Sequence, residues 1–167
     1  MRKKLRAPSF VALDFETATQ SRNSACQIGL VRFEEGREVA SLCELIQPPD
    51  NRYYQKFTDE IHGIGPQTTR GAPTFAELWP TLKPWFENQL VVAHNATFDL
   101  GVLASTLEYY GIPPVEFQQA CTYRLWGVNL KAACLEAGVS LDHHHDALCD
   151  SRACGLLYLE AMRLGLK

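Results

Sequence analysis

No stretch of this chain is apolar for long enough to cross a membrane, none is of low complexity, and none recurs with a fixed period. A membrane span, a repeat array and a disordered scaffold are excluded on those grounds. The start carries Arg2, Lys3 and Lys4, but the apolar run behind them is short and belongs to a strand, so no signal peptide is expected. C-x-x-C pairs are missing too. The six cysteines, Cys26, Cys43, Cys121, Cys134, Cys149 and Cys154, are scattered and read as reduced, mostly buried thiols in a cytoplasmic protein. Nor is there a strong charge of either sign, since the net charge is −3. What remains is a chain of 167 residues, 46% hydrophobic and 21% charged, which suits one domain with one core.

Residues 9–17, S-F-V-A-L-D-F-E-T, read as a buried strand that ends by presenting two carboxylates. Period-2 geometry places Phe10, Ala12, Asp14 and Glu16 on one face and Val11, Leu13 and Phe15 on the other. Two ionised carboxylates side by side at the end of a central strand repel each other and lose hydration unless a cation lies between them. All-oxygen ligands favour Mg²⁺ or Mn²⁺. Taken alone, D-x-E favours the plainer reading of a solvated strand end in which one carboxylate caps a turn, so further carboxylates must join it.

Apolar segments at 25–33 and 38–46, separated by short polar turns, make an antiparallel meander with the first strand. Residues 50–73 are polar and rich in Gly and Pro, which predicts a long loop on the active side with a short helical piece. From Thr74, a plausible N-cap, the stripe Phe75, Leu78, Trp79, Leu82, Trp85 and Phe86 has helical spacing, and Pro80 and Pro84 inside it predict a kink or two short helices. A strand at 90–93, a helix at 97–110, a strand at 117–122 and helices at 130–137 and 147–164 complete the chain. The tryptophans Trp79, Trp85 and Trp126 read as core. Three antiparallel strands followed by β-α-β-α-α is the order of a ribonuclease-H-like mixed five-stranded α/β sheet flanked by helices.

Further carboxylates stand where that order turns back toward the first strand. Asp99, in A-H-N-A-T-F-D, falls where strand 90–93 hands over to its helix, the edge at which open α/β sheets bind ligands. By itself it reads more simply as a helix N-terminal acid. Asp150 lies in the first turn of the last helix, with Cys154, Leu157 and Ala161 following on its side, so its carboxylate points inward. If Asp14, Glu16, Asp99 and Asp150 form one site, the rest of the molecule carries +1, and the acidic total is no obstacle to a nucleic-acid partner. His143 to His145 invite a zinc reading, but adjacent side chains do not all converge on one ion and no pattern completes a tetrahedral site.

D-F-E, H-N-A-T-F-D and H-D-A-L-C-D, in that order, resemble the motifs of the DEDDh (DnaQ-like) exonuclease family, which includes the proofreading subunit of bacterial DNA polymerase III, ribonuclease T and oligoribonuclease. Q-I-G at 27–29 and I-H-G-I at 61–64 are similar to that family as well, and the likeness covers nearly the whole chain. The sister group has a tyrosine four residues before the last aspartate, where Asp146 stands here, so the histidine branch is implied. The resemblance implies Asp14, Glu16, Asp99 and Asp150 as ligands of two divalent cations, Mg²⁺ or Mn²⁺. On that resemblance Asp14 would touch both ions and Asp99 would act partly through bound water. It also implies His145 as general base and a 3′→5′ exonuclease that releases nucleoside 5′-monophosphates. Thr17, His62, Ile64, Asn95 and Phe98 fall around the terminal nucleotide; ordinary loop packing is the competing reading for His62 and Phe98. Arg22, Arg52, Lys56 and Arg70 are candidates for phosphate contact, against the plainer reading of solvated surface.

Single-stranded DNA or RNA 3′ ends are the expected partners, DNA before RNA, with no membrane and no organic cofactor. A DNA polymerase is the alternative partner, for a nuclease-like binding module or a proofreading component. The roughly 17 residues beyond Asp150 leave little length for a polymerase-binding tail, which is the expectation for an independent nuclease unless the chain is a fragment of something longer.

Overall fold

Alternation decides the first strand, β1 (Phe10–Thr17). Val11, Leu13 and Phe15 enter the larger core on one face of the sheet, while Phe10 and Ala12 enter a second cluster on the other. The structure is a computed structural model describing residues 8–167; the basic start with Arg2, Lys3 and Lys4 lies outside the described residues. β2 (Ala25–Glu34) pairs antiparallel with β1, and β3 (Arg37–Leu45) pairs antiparallel with β2. β3 is the exposed edge. Cys43 there is open to solvent, and of the six cysteines only Cys26, Cys134 and Cys154 are buried, fewer than the sequence suggests.

The stretch after β3 holds more helix than expected. A 3₁₀ turn at Pro49–Asn51 is followed by α1 (Gln55–Phe57), a π turn at Thr58–His62 closed by left-handed Gly63, and α2 (Pro66–Thr69). α3 (Phe75–Phe86) is one continuous helix, not the kinked or divided one that its prolines suggest. Pro80 and Pro84 are four residues apart and both exposed, so the lost hydrogen bonds fall on one solvated stripe where water replaces them. A capping box starts the helix: Thr74 Oγ1 accepts the Glu77 N–H, and Glu77 accepts the Thr74 N–H at 2.7 Å. Phe75, Leu78, Trp79, Leu82 and Phe86 face the larger core. Trp79 is buried there; Trp85 and Trp126 are partly buried.

β4 (Leu90–Ala93) lies parallel to β1, and α4 (Ala96–Tyr109) returns the chain to β5 (Gln118–Cys121), parallel to β4. The sheet order β3-β2-β1-β4-β5 puts β1 at the centre. This is the ribonuclease-H-like mixed sheet that the element order implies. α5 (Thr122–Trp126), a turn of helix the spacing did not announce, leads to α6 (Leu130–Ala137) and α7 (Ala147–Leu164). α7 packs Cys154 and Tyr158 onto the second face, against Phe10, Val31 and Phe33.

Q-I-G explains how α7 comes so close to the sheet. Gln27 Oε1 accepts the Ala147 N–H at 3.0 Å, and a Cβ on Gly29 would overlap the Ala147 carbonyl. Only glycine allows this approach. The start of α7, which carries Asp150, is thereby set down beside the end of β1.

Candidate active site

The four acids reach the site from three elements. Asp14 and Glu16 come from the same face of β1, Asp99 from the first turn of α4, and Asp150 from the first turn of α7. Asn95 turns the chain from β4 into α4 through a left-handed residue, φ 68°. Asp146 caps α7 by accepting the Cys149 N–H at 3.0 Å. One ligand atom from each of Asp14, Glu16 and Asp150 lies within 4.8 Å of the others. Asp99 adjoins that trio, but its Oδ1 accepts the Phe15 N–H at 2.9 Å, which ties α4 to the end of β1.

Burial and mutual repulsion dominate the electrostatics. Asp14 is held far above the usual carboxylate range, first by burial and then by Asp99, Glu16 and Asp150. Glu16 is raised to about 9 by burial and then Asp150. Asp99 is raised to about 8 by burial, against the Phe15 hydrogen bond that lowers it. Asp14 Oδ2 is buried without a hydrogen-bond partner. A buried orphan oxygen among converging carboxylates fits a hard divalent cation, which would satisfy the oxygen and offset the repulsion together. Asp14, Glu16 and Asp150 would hold it.

These shifts predict an unusual response to pH. In the metal-free fold Glu16 and Asp99 bind protons more tightly than in the unfolded chain, so stability falls as pH rises toward 8 and 9. His62, His94 and His145 are lowered by burial and act in the opposite sense, but only below the ordinary histidine range near about 6.5. Buried thiols add their own loss only near their ordinary range at about 8.5. In EDTA the melting temperature is therefore expected to fall between about pH 6.5 and 8. With saturating Mn²⁺ the fall should vanish or reverse; identical slopes with and without Mn²⁺ would count against the site.

The three histidines divide sharply. His143 and His144 are exposed, and His145 is half-buried. His144 Nδ1 lies 3.1 Å from both carboxylate oxygens of Asp150, and the His145 ring stacks on His144 with centroids 3.8 Å apart. His145 itself is left-handed, φ 69°, held there by its N–H donating to Asp150 Oδ2 at 3.0 Å. Asp150 thus belongs to a second group with His144 and His145, each offering an atom within 4.8 Å of the others. The left-handed turn at His145 gives the histidine run a carboxylate partner, with His144 rather than His145 presenting its ring nitrogen to Asp150.

Phe15, Glu16, Thr17, His62 and Phe98 line one cavity of about 330 Å³, with Phe98 36% exposed on its wall. His62 is fixed within it. Its Nδ1 accepts the Ile64 N–H at 3.0 Å, and its Nε2 donates to the Thr17 carbonyl at 2.9 Å. The other expected substrate residues stand elsewhere. Ile64 is buried with Ala18 and Cys26, and on its outer side lines the cavity below the three histidines; Asn95 is exposed at the start of α4. Sequence reasoning missed Gln27 and Gly29 as the seat of α7. It also missed His94, whose ring bridges Thr122 Oγ1 at 2.9 Å and the Val128 carbonyl at 3.0 Å.

A family model described as exonuclease matches residues 11–158. The PolC-type DNA polymerase III of Streptococcus thermophilus is 29% identical over 164 residues, which is 92% of this chain and 11% of that protein. Its counterpart in Clostridium perfringens is 30% identical over 153 residues, 86% of this chain and 10% of that protein. The chain thus spans about a tenth of the length of the curated relatives it matches. Among solved structures, Exonuclease X in complex with 5′ overhanging duplex DNA has a TM-score of 0.75 at 23% identity, covering 95% of this chain and 94% of that one. The nuclease domain of 3′hExo, a DEDDh family member bound to rAMP, has a TM-score of 0.79 at 14% identity, covering 98% and 96%. At such identities these likenesses show a shared fold.

Proposed function

Since the chain belongs to the exonuclease family, we propose that it acts as one metal-dependent domain that removes nucleotides from the 3′ end of single-stranded DNA and releases nucleoside 5′-monophosphates. The observation that carries this reading is the trio Asp14, Glu16 and Asp150, with its partnerless buried oxygen, opening beside a cavity walled by Phe98. Divalent cations, when bound, offset charge on the transferring phosphoryl oxygens and lower the pKa of water. Asp14, Glu16 and Asp150 would hold and orient them. Asp99 fixes the end of β1 through the Phe15 amide, keeping Asp14 and Glu16 in register with α7. Phe98 and the wall braced by His62 receive the terminal base by apolar contact, which needs no particular sequence.

His145 takes the proton from the attacking water. Burial and the neighbouring His144 hold its pKa below the ordinary value, so the imidazole is neutral at pH 7 and free to accept. The left-handed turn puts His145 on the loop just ahead of α7, the helix that carries Asp150.

A second reading concerns the setting. The two relatives named above are DNA polymerases, and this chain corresponds to a small part of each. That supports a nuclease that works with a polymerase, proofreading its product. Neither setting changes the chemistry.

Digestion of matched 5′- and 3′-labelled single strands of DNA and RNA tests the reaction. With Mn²⁺ or Mg²⁺ the 5′-labelled DNA is expected to give a descending ladder and the 3′-labelled DNA to release mononucleotide at once. EDTA should stop both. Nicking of a circular single strand as the main activity would overturn the reading, and faster digestion of RNA would overturn its preference for DNA.

A further inference from the structure

Three cavities meet at the loop between β1 and β2. The first, of about 330 Å³, runs from Glu16 and Phe98 to Gln20, Ser21 and Arg22. A second, of about 510 Å³, takes over at Gln20 and Ser21 and extends to Arg52, Tyr54 and Tyr109. A third, of about 380 Å³, joins Arg22 to Tyr109. Because each shares lining residues with the next, they adjoin as one groove that starts at Glu16.

The loop under it is braced. Ser24 Oγ donates to the Ser21 carbonyl at 2.6 Å and accepts the Thr19 N–H at 3.0 Å, and the Ala18 N–H donates to the Ser24 carbonyl at 2.7 Å. Arg22 leans across α4, over Gly101, where a Cβ would overlap its guanidinium, with Nη1 3.5 Å from the Thr97 carbonyl. A cation is thus laid along the groove near Phe98. At the far end Tyr54 and Tyr109 are 47% and 53% exposed, each steadied edge-on by a neighbouring ring, Phe57 and Tyr110. Exposed rings held in place, with Arg52 beside them and Arg22 on the side toward Glu16, are the elements of a stacking platform for single strands. Asp50 and Glu108 also line the groove and repel phosphate, which leaves Arg22 and Arg52 as the phosphate positions and the tyrosines as base positions.

We propose that this groove carries the single-stranded DNA upstream of the cleaved nucleotide, with bases stacked on Tyr54 and Tyr109 and phosphates over Arg22 and Arg52. The proposal rests on the nuclease reading and adds a second binding region to it. Affinity then grows with strand length without any preference for sequence.

Steady-state digestion of DNA strands of two and of twelve nucleotides tests this. The terminal nucleotide of the dinucleotide occupies the Phe98 cavity, leaving one residue to reach beyond it. The parent is expected to show a KM for the twelve-mer about ten-fold or more below that for the dinucleotide. Tyr54→Ala/Tyr109→Ala should raise the twelve-mer KM about ten-fold with kcat little changed and a much smaller effect on the dinucleotide, while Tyr54→Phe/Tyr109→Phe behaves like the parent because the ring does the stacking. Arg22→Met should raise the twelve-mer KM and flatten its salt dependence. Equal parental KM for the two lengths, a double alanine variant with the parental KM, or equal losses on both lengths would overturn the groove while leaving the nuclease reading intact. A parent that digests neither strand overturns the nuclease reading, and the groove with it.

Discussion

Asp14→Ala is expected to stop nucleotide release, by roughly 10³-fold or more, while the metal-free fold stays as stable as the parent or gains stability. The scale follows from the several kcal/mol of charge stabilisation that a bound cation supplies, at about 1.36 kcal/mol for each factor of ten in rate. The stability follows from the site itself. Asp14 Oδ2 has no hydrogen-bond partner, and burial and four neighbouring acids disfavour its charge, so the apo fold loses no bond at that atom and sheds repulsion. Its neighbours differ. Asp99→Ala strands the buried Phe15 N–H, a cost of about 1–3 kcal/mol. Asp150→Ala frees the His145 N–H and His144, and with them the left-handed turn. Asp14 is therefore the variant that separates chemistry from folding, read as turnover with Mn²⁺ beside thermal melting in EDTA. Unfolding of Asp14→Ala without metal would make this aspartate structural and end the site assignment.

His145→Ala is expected to lower turnover by roughly 10²-fold or more, the usual scale of a general base. His143→Ala and His144→Ala should stay within a few-fold of the parent. The rate of the parent should rise as pH climbs through the His145 pKa, which lies below the ordinary histidine value, because the base must be neutral to accept a proton. The variant should lose that acidic limb. His144 competes for the same role, since its Nδ1 faces both oxygens of Asp150 and its ring covers that of His145. If His144→Ala proves severe and His145→Ala mild, the register of the base shifts by one residue and the fold and reaction class stand.

The elements that sequence could announce are those whose own periodicity and punctuation decide them. β1, β2 and β4 carry dense apolar patterns, and α6 and α7 end at Gly138 and Gly165, so their bounds agree with expectation to within about a residue. The inward direction of Asp150 was legible for the same reason, because Cys154, Leu157 and Ala161 share its buried side. What stayed hidden depends on partners distant in sequence. The cost of Pro80 and Pro84 depends on which side of α3 faces water. The role of Gly29 depends on a helix that starts more than a hundred residues later, and the anchoring of Asp99 depends on an amide of β1. The pairing of His144 with Asp150 arises from one left-handed residue, which nothing in three identical side chains foretells.

The most direct measurement is release of nucleoside 5′-monophosphate from a 3′-labelled single strand as Mn²⁺ is added back to EDTA-treated protein, for the parent and for Asp14→Ala side by side. The parent should be silent in EDTA and recover along a saturating curve in Mn²⁺, while Asp14→Ala stays at least about 10³-fold lower at every concentration. Release by the parent in EDTA, or a full recovery by Asp14→Ala, would contradict the claim that the buried acids work by holding a divalent cation.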